Sequence, residues 1–247
     1  MKIINTTIVA AVCSLFMFAC SKEAPVDNQL TRKEKKAGWQ LLFDGESMDQ
    51  WRRIYSGDVP ESRWHVENGC LIIEALKDRA SGGRDLVTVR EYGNFDFTFE
   101  FKLTQGANSG VKYFVDESMG NPVSGYGYGP EYQVIDDVQL ALSSEKIPPG
   151  CTIGGLYELI EAPATKKIKP IGEWNTGRIV SKDRHVEHWL NGDLMFSYVL
   201  GSDEFKALVQ KSKFRNTQGY GEKANGHILL QDHGDKVSYK NLKIKEL

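Results

Sequence analysis

Phe95-Asp96-Phe97-Thr98-Phe99-Glu100-Phe101 alternates an aromatic ring with a polar side chain at every step. A strand has a side-chain period of 2, so the four rings share one face and Asp96, Thr98 and Glu100 share the other. The stretch therefore reads as a strand with one buried face. Further strands are expected at Asn108–Val115, Glu131–Asp136, Ile179–Val180, Val186–Leu190, Leu194–Tyr198, His227–Gln231 and Val237–Ile244. Trp64–Val66 and Leu71–Ile73 flank Glu67-Asn68-Gly69, and Asn191-Gly192 forms a second such junction. Asn-Gly accepts positive φ at both positions, which is what a tight hairpin requires. Helical spacing is confined to Ser202–Lys211 and a short stretch over 30–36.

Strands with turn signals, and no strand–helix–strand alternation, point to an all-β sandwich or jelly roll of two antiparallel sheets. Such a sheet buries one face and can offer a concave outer face to a ligand. No repeat of fixed period interrupts this pattern. About 210 residues follow the N-terminal segment, enough for a sizeable core.

Composition narrows the function. Of 247 residues, 31 are Lys or Arg and 33 Asp or Glu, so there is no general cationic footprint for nucleic acid. A hydrophobic content of 40% with 11% aromatic residues places the chain among globular proteins. The four cysteines show no zinc spacing. Cys70 and Cys151 could pair in an oxidising compartment or remain buried thiols.

The N-terminus reads as an address. Lys2 precedes an apolar run from Ile3 to Ala19, which ends in Met17-Phe18-Ala19-Cys20. This resembles a bacterial lipoprotein signal, with residues 1–19 removed and Cys20 lipidated. Residues 20–37, charged and polar, are expected to form the linker to a domain at 38–247. The expected location is the cell envelope, anchored by lipid, with the outer membrane favoured because Ser21 supplies no inner-membrane retention signal.

Three polar clusters exceed what a core needs. Asn108-Ser109-Gly110 opens a strand, and Asn108 and Ser109 are candidate substrate-binding residues. Gly125-Tyr126-Gly127-Tyr128-Gly129 carries rings on a glycine loop, and Tyr128 is a candidate platform for a sugar. In the strand that follows, Glu131 and Gln133 face away from Tyr132 and Val134, about 7 Å apart at about 3.3 Å per residue. Asp136 and Asp137 end that strand. In the third cluster His227, Leu229, Gln231 and His233 oppose Ile228 and Leu230. His188 shares the parity of Val186 and Leu190 and falls on the core side unless a bulge reverses it; it too is a candidate binding residue.

No nucleophile elbow, P-loop or dinucleotide fingerprint occurs. An ordinary glycosidase needs two carboxylates at defined separation. Glu131 is one, but Asp136 has the opposite parity. One Glu, one or two His and two amides suit proton abstraction beside a carbonyl.

Gly38-Trp-Gln-Leu-Leu-Phe-Asp-Gly45, Asn108-Ser-Gly-Val111, Glu131-Tyr-Gln-Val-Ile-Asp136, Gly172-Glu-Trp-Asn175, His188-Trp-Leu-Asn-Gly192, Gly226-His-Ile-Leu-Leu-Gln-Asp-His-Gly234 and Asn241-Leu-Lys-Ile244 occur in this order. Together they resemble the 3-keto-disaccharide hydrolase family over about residues 38–247. The resemblance implies a concanavalin-like jelly roll and an enzyme acting on glycosides oxidised at C3. It implies removal of the C2 proton, elimination at C1 and addition of water. Glu131 or His233 would be the base, and Gln133 and Gln231 would bind the oxygens at C2 and C3. A divalent cation held by Glu131 and a histidine would stabilise an enediolate. Substrate preference does not carry across Cys151–Tyr157, where related sequences vary.

Two rival readings remain at this level. A carbohydrate-binding lipoprotein without catalysis would use the same loop and amides. A conventional endo-glucanase of this architecture usually shows Glu-x-Asp-x-x-Glu, and here Gln133 stands in place of the middle Asp.

Overall fold

The computed structural model describes residues 26–58, 63–76, 85–120, 122, 125–143 and 146–247. Cys20 and the expected signal segment 1–19 lie outside the described residues. The strands are β1 (Trp39–Leu41), β2 (Trp51–Arg53), β3 (Trp64–Glu67), β4 (Cys70–Ile73), β5 (Leu86–Thr88), β6 (Phe95–Leu103), β7 (Asn108–Val115), β8 (Glu131–Ile135), β9 (Asn175–Lys182), β10 (His185–Leu190), β11 (Asp193–Val199), β12 (His227–Leu230) and β13 (Val237–Glu246). They form two antiparallel sheets. One has eight strands in the order β11-β10-β9-β6-β13-β4-β3, with β1 also on β13; the other has five, β2-β5-β12-β7-β8.

Strand β6 lies at the centre of the larger sheet. Phe95, Phe97, Phe99 and Phe101 are fully buried on its inner face. Phe97 and Phe99 stack at 5.3 Å between centroids, and Phe99 meets Tyr132 of the other sheet edge-on at 5.3 Å. Gly177 of β9 pairs with Phe99, and a Cβ there would collide with the ring. On the outer face Arg178 makes two hydrogen bonds to Asp96, at 2.7 and 2.8 Å. The inner face of the smaller sheet supplies Val111, Tyr113, Tyr132, Val134, Ile228 and Leu230 to the same core.

Both expected hairpins form. Asn68 and Gly69 have φ of 51° and 71°, and Asn191 and Gly192 have 51° and 88°. Two positive φ values in succession mark the two-residue turn whose twist matches that of the strands. Helices α1 (Arg32–Lys36) and α3 (Asp203–Lys211) fall where the sequence places them. Helix α2 (Asp137–Ser143) was not expected. Asp136 starts it by accepting from the N–H groups of Val138 and Gln139 at 3.1 and 3.2 Å, so this carboxylate serves as a cap. The sequence also gave no sign of β2 or β5, which are only three residues long.

Residues 26–37 do not stand off the domain as a linker would. Asn28 and Asn241 exchange hydrogen bonds, Asn28 N–H to Asn241 Oδ1 at 2.6 Å and Asn241 N–H to Asn28 Oδ1 at 2.8 Å. Asn28 also donates to Gly69 O at 2.7 Å, and Glu34 pairs with Lys243 at 3.0 Å. This segment is bound to the eight-stranded sheet. Cys70 and Cys151 are free thiols, the second buried.

Phe99→Ala should lower the free energy of unfolding by about 3–5 kcal/mol, because the cavity opens at the meeting point of both sheets. Equilibrium urea denaturation checks this; a loss below about 1 kcal/mol would show that the row of rings does not centre the core.

Candidate active site

The outer face of the five-stranded sheet carries a cleft of about 290 Å³. Its floor follows from strand parity. With Val111 and Tyr113 inward, β7 turns Asn108, Gly110 and Lys112 outward. With Tyr132 and Val134 inward, β8 turns Glu131 and Gln133 outward. Register then sets Lys112 opposite Glu131 and Gly110 opposite Gln133. Gln231 N–H donates to Gly110 O at 2.9 Å, which brings the end of β12 beside them. Gly110 leaves a gap that the Glu131 carboxylate fills; a Cβ at this position would collide with it.

The end of β12 is held rigidly. Asp232 is fully buried and takes two hydrogen bonds from Arg63, at 2.6 and 3.1 Å. Its own N–H donates to Asp85 Oδ1 at 2.8 Å, and Asp235 accepts from Asn108 N–H at 3.0 Å. With Asp232 pinned inward, Gln231 and His233 on either side line the cleft.

Two walls rise from this floor. The Gly/Tyr loop gives Tyr126 and Tyr128. Its glycines are demanded by close approach: a Cβ at Gly127 would strike Ile54, Leu229 and Val115, the small apolar cluster beneath. Lys112 donates to Gly127 O at 3.1 Å and ties the loop down. Tyr157, Lys213 and Phe214 form the second wall. Tyr157 belongs to a segment bonded along the free edge of β8, and Phe214 stacks on Tyr220 at 4.1 Å.

Electrostatically the floor centres on Glu131. Burial pushes its carboxyl above the ordinary value, while Lys112 and then Lys213 pull the other way. The Lys112 ammonium is 3.8 Å from Glu131 Oε2. Nearby, burial pushes Asp85 up to about 7, also against Lys112. The amide oxygens of Asn108 and Gln133 are buried and have no hydrogen-bond partner among the described residues. An unpaired buried acceptor is costly, and two of them lie on residues that line this cleft.

Of the residues singled out in the sequence, Glu131, Gln133, Gln231, His233, Asn108 and Tyr128 converge on this cleft. Two do not. Ser109 points into the sandwich, where its hydroxyl bonds Gln231 O and the Tyr239 hydroxyl at 2.7 Å each. His188 is likewise fully buried between the sheets. Its Nδ1–H donates to Gly154 O at 3.2 Å, and its Nε2 accepts from the Tyr113 hydroxyl at 2.8 Å. Burial holds its pKa down at about 3, so it is a neutral core histidine. The sequence reading missed Lys112, Tyr157, Lys213 and Phe214. Lys112 was accessible by parity, since it shares a face with Asn108 and Gly110. The other three reach the cleft only through tertiary packing.

Glu131 is the one carboxylate among the described residues lining the cleft. The described residues contain no group of three or more His, Cys, Asp or Glu side chains placed to hold a metal ion. The expected divalent cation would have Glu131, His233 and neutral amide oxygens, with Lys112 already supplying positive charge beside Glu131.

A family model described as a 3-keto-α-glucoside-1,2-lyase-like domain matches residues 38–245. A 3-keto-disaccharide hydrolase of Bacteroides thetaiotaomicron is 30% identical over 236 residues, spanning 85% of this chain and 79% of the relative. Two solved structures from Parabacteroides distasonis, each described as a "putative glycosyl hydrolase", share the fold. One has a TM-score of 0.77 at 34% identity over 90% of this chain and 100% of the other. The second has a TM-score of 0.56 at 26% identity over 81% and 100%.

A carboxyl pKa raised by burial keeps its proton to higher pH. Carbon-13 titration of the Glu131 carboxyl should therefore give a midpoint above the ordinary value of about 4.3. Lys112→Met should move it higher still, because the cation that favours the charged form is gone. A midpoint at or below the ordinary value, or a downward move in the variant, would contradict this account of the cleft.

Proposed function

Because the chain belongs to the 3-keto-α-glucoside-1,2-lyase-like family and is a glycoside-cleaving enzyme, we propose that its substrates are glycosides oxidised at C3 and that it cleaves them by elimination. The observation that carries this reading is that Glu131, backed by Lys112, is the one carboxylate among the described residues lining the cleft. Direct displacement at C1 uses a pair of carboxylates across the glycosidic bond. Elimination needs one base and a site for developing negative charge.

A ketone at C3 acidifies the hydrogen on C2. Glu131 takes that proton, and the electron pair enters an enolate with charge on the C3 oxygen. The Gln231 amide and the Lys112 ammonium can stabilise that charge in a site where burial strengthens each interaction. The amides of Asn108 and Gln133, which line the same cleft, hydrogen-bond ring hydroxyls. Tyr126 and Tyr128 stack on a sugar ring. Collapse of the enolate reforms the C3 ketone and expels the group at C1. Addition of water across the resulting C1–C2 double bond completes a net hydrolysis.

Lipid attachment at Cys20 and a place in the cell envelope belong to the same proposal. Val26–Asn28 lie against the eight-stranded sheet, so residues 20–25 would separate lipid from domain by at most about 20 Å. Mass analysis of the membrane-extracted protein should find an acylated Cys20; an unmodified chain in the soluble fraction would reject the anchor.

Residues 26–247, given a 3-keto-disaccharide in deuterated water, should release the leaving sugar and carry deuterium at C2 of the product. The unoxidised parent should be inert. Glu131→Gln should abolish both cleavage and label, while His233→Ala should slow cleavage and still label C2. The reverse pattern would transfer the base to His233. Equal cleavage of the parent sugar would reject elimination, and binding without turnover would leave a carbohydrate-binding protein.

A further inference from the structure

Elimination at C1 expels an oxygen anion, and a sugar alkoxide is a poor leaving group unless it is protonated as it departs. Tyr157 and Lys213 stand at the cleft with no part in the steps above. Leu156 forms an antiparallel bridge with Tyr132, and Tyr157 N–H donates to Glu131 O at 3.0 Å. Tyr132 and Leu156 point inward together. Tyr157 therefore lies directly opposite Glu131 on the cleft face, where opposed Cβ atoms are about 5 Å apart.

The Lys213 ammonium donates to the Tyr157 hydroxyl at 2.7 Å and also sits 4.1 Å from the centroid of its ring. Having accepted that bond, the phenol still has its own O–H to give. Lys213 also pairs with Glu158, at 4.0 Å. The wall is fixed in place. Ser212 is buried, donates to Val209 O at 2.8 Å and accepts from Phe214 N–H at 3.0 Å. Phe214 is itself buried against Tyr220, with rings 9° from parallel.

Resting on the elimination reading, we propose that Tyr157 is a catalytic residue, the proton donor to the leaving oxygen, and that Lys213 is its positioning partner. As the enolate collapses, the C1–O bond breaks and its electron pair goes to the leaving oxygen. That oxygen takes the phenolic proton of Tyr157. The phenolate left behind faces the Lys213 ammonium, which returns a proton and is itself reprotonated from water. Glu131 gives up the C2 proton to solvent, so no oxidant or reductant is required. Burial pushes the Tyr157 hydroxyl above its usual range, with Glu131 adding to the effect, so the phenol holds its proton at neutral pH, and the Lys213 ammonium bonded to its oxygen favours the phenolate as the proton leaves.

The test compares two substrates that share one 3-keto-glucosyl group. One carries a sugar as leaving group, and the other carries 4-nitrophenol, which departs without protonation. Tyr157→Phe keeps the ring beneath Lys213 and should fold with an unchanged melting temperature. It should lose about 10²-fold or more in kcat on the disaccharide and less than about 10-fold on the nitrophenyl substrate. Deuterium should still enter C2. Lys213→Met should show the same leaving-group dependence in weaker form, and Lys213→Arg should recover much of the rate. Equal losses on both substrates, or no loss on the disaccharide, would overturn the donor role while C2 labelling kept the elimination reading intact. Absence of C2 labelling in the unmodified enzyme would instead overturn the elimination, and the donor role with it.

Discussion

Phe95, Phe97, Phe99 and Phe101 lie in a row on β6, and the facing sheet must place apolar side chains over them. Strand geometry then leaves no freedom. Once Tyr132 and Val134 turn inward, Glu131 and Gln133 must turn outward; once Val111 and Tyr113 turn inward, Gly110 and Lys112 must follow the other way. A slip of one residue in β7 or β8 would drive Lys112 or Glu131 into the row of rings, at a desolvation cost no nearby contact offsets. The same burial that stabilises the sandwich thus places the polar groups of the cleft.

The cleft works against the ordinary behaviour of its groups. Glu131 is buried on the outer face of the sheet because Gly110 leaves room for it and the Gly/Tyr loop closes over Lys112. Burial makes the carboxylate a stronger base than it would be in water, and Lys112 keeps it ionisable. The buried Arg63–Asp232 pair, costly in itself, fixes the direction of Gln231 and His233. A cleft that gathers a carboxylate, an ammonium, amides and a phenol in one small space depends on such fixed supports. Tyr157 and Glu131, opposite one another at the edge of β8, put a phenol and a carboxylate on the same cleft.

The positions of the longer strands, both hairpins, helix α3 and the outward parity of Glu131, Gln133 and Gln231 were legible in the sequence, whereas the three-residue β2 and β5 were not. Each is set by local chemistry: period-2 alternation, the Asn-Gly pairs, and the Ser202 cap that accepts from Phe205 N–H at 3.2 Å. Ser109 and His188 misled for different reasons. Ser109 sits in a polar motif, but its odd parity turns it inward to Tyr239. His188 was already on the core side by alternation, and the network of Tyr113, Tyr198 and Gly154 satisfies it there without a ligand. Asp136 looked like a strand end because a cap and a turn use the same carboxylate.

The sequence alone determined an all-β sandwich, one face of each strand, and a set of polar residues with no place in the core. Those properties repeat every two residues along the chain, so they need no knowledge of what lies opposite. Tertiary structure decided which of those residues meet. Lys112 faces Glu131 because β7 and β8 take one register, Tyr157 joins them because a distant segment pairs with the edge of β8, and Lys213 arrives from the end of α3. These contacts join residues far apart along the chain, and their positions follow from packing the two sheets together, which no local pattern records.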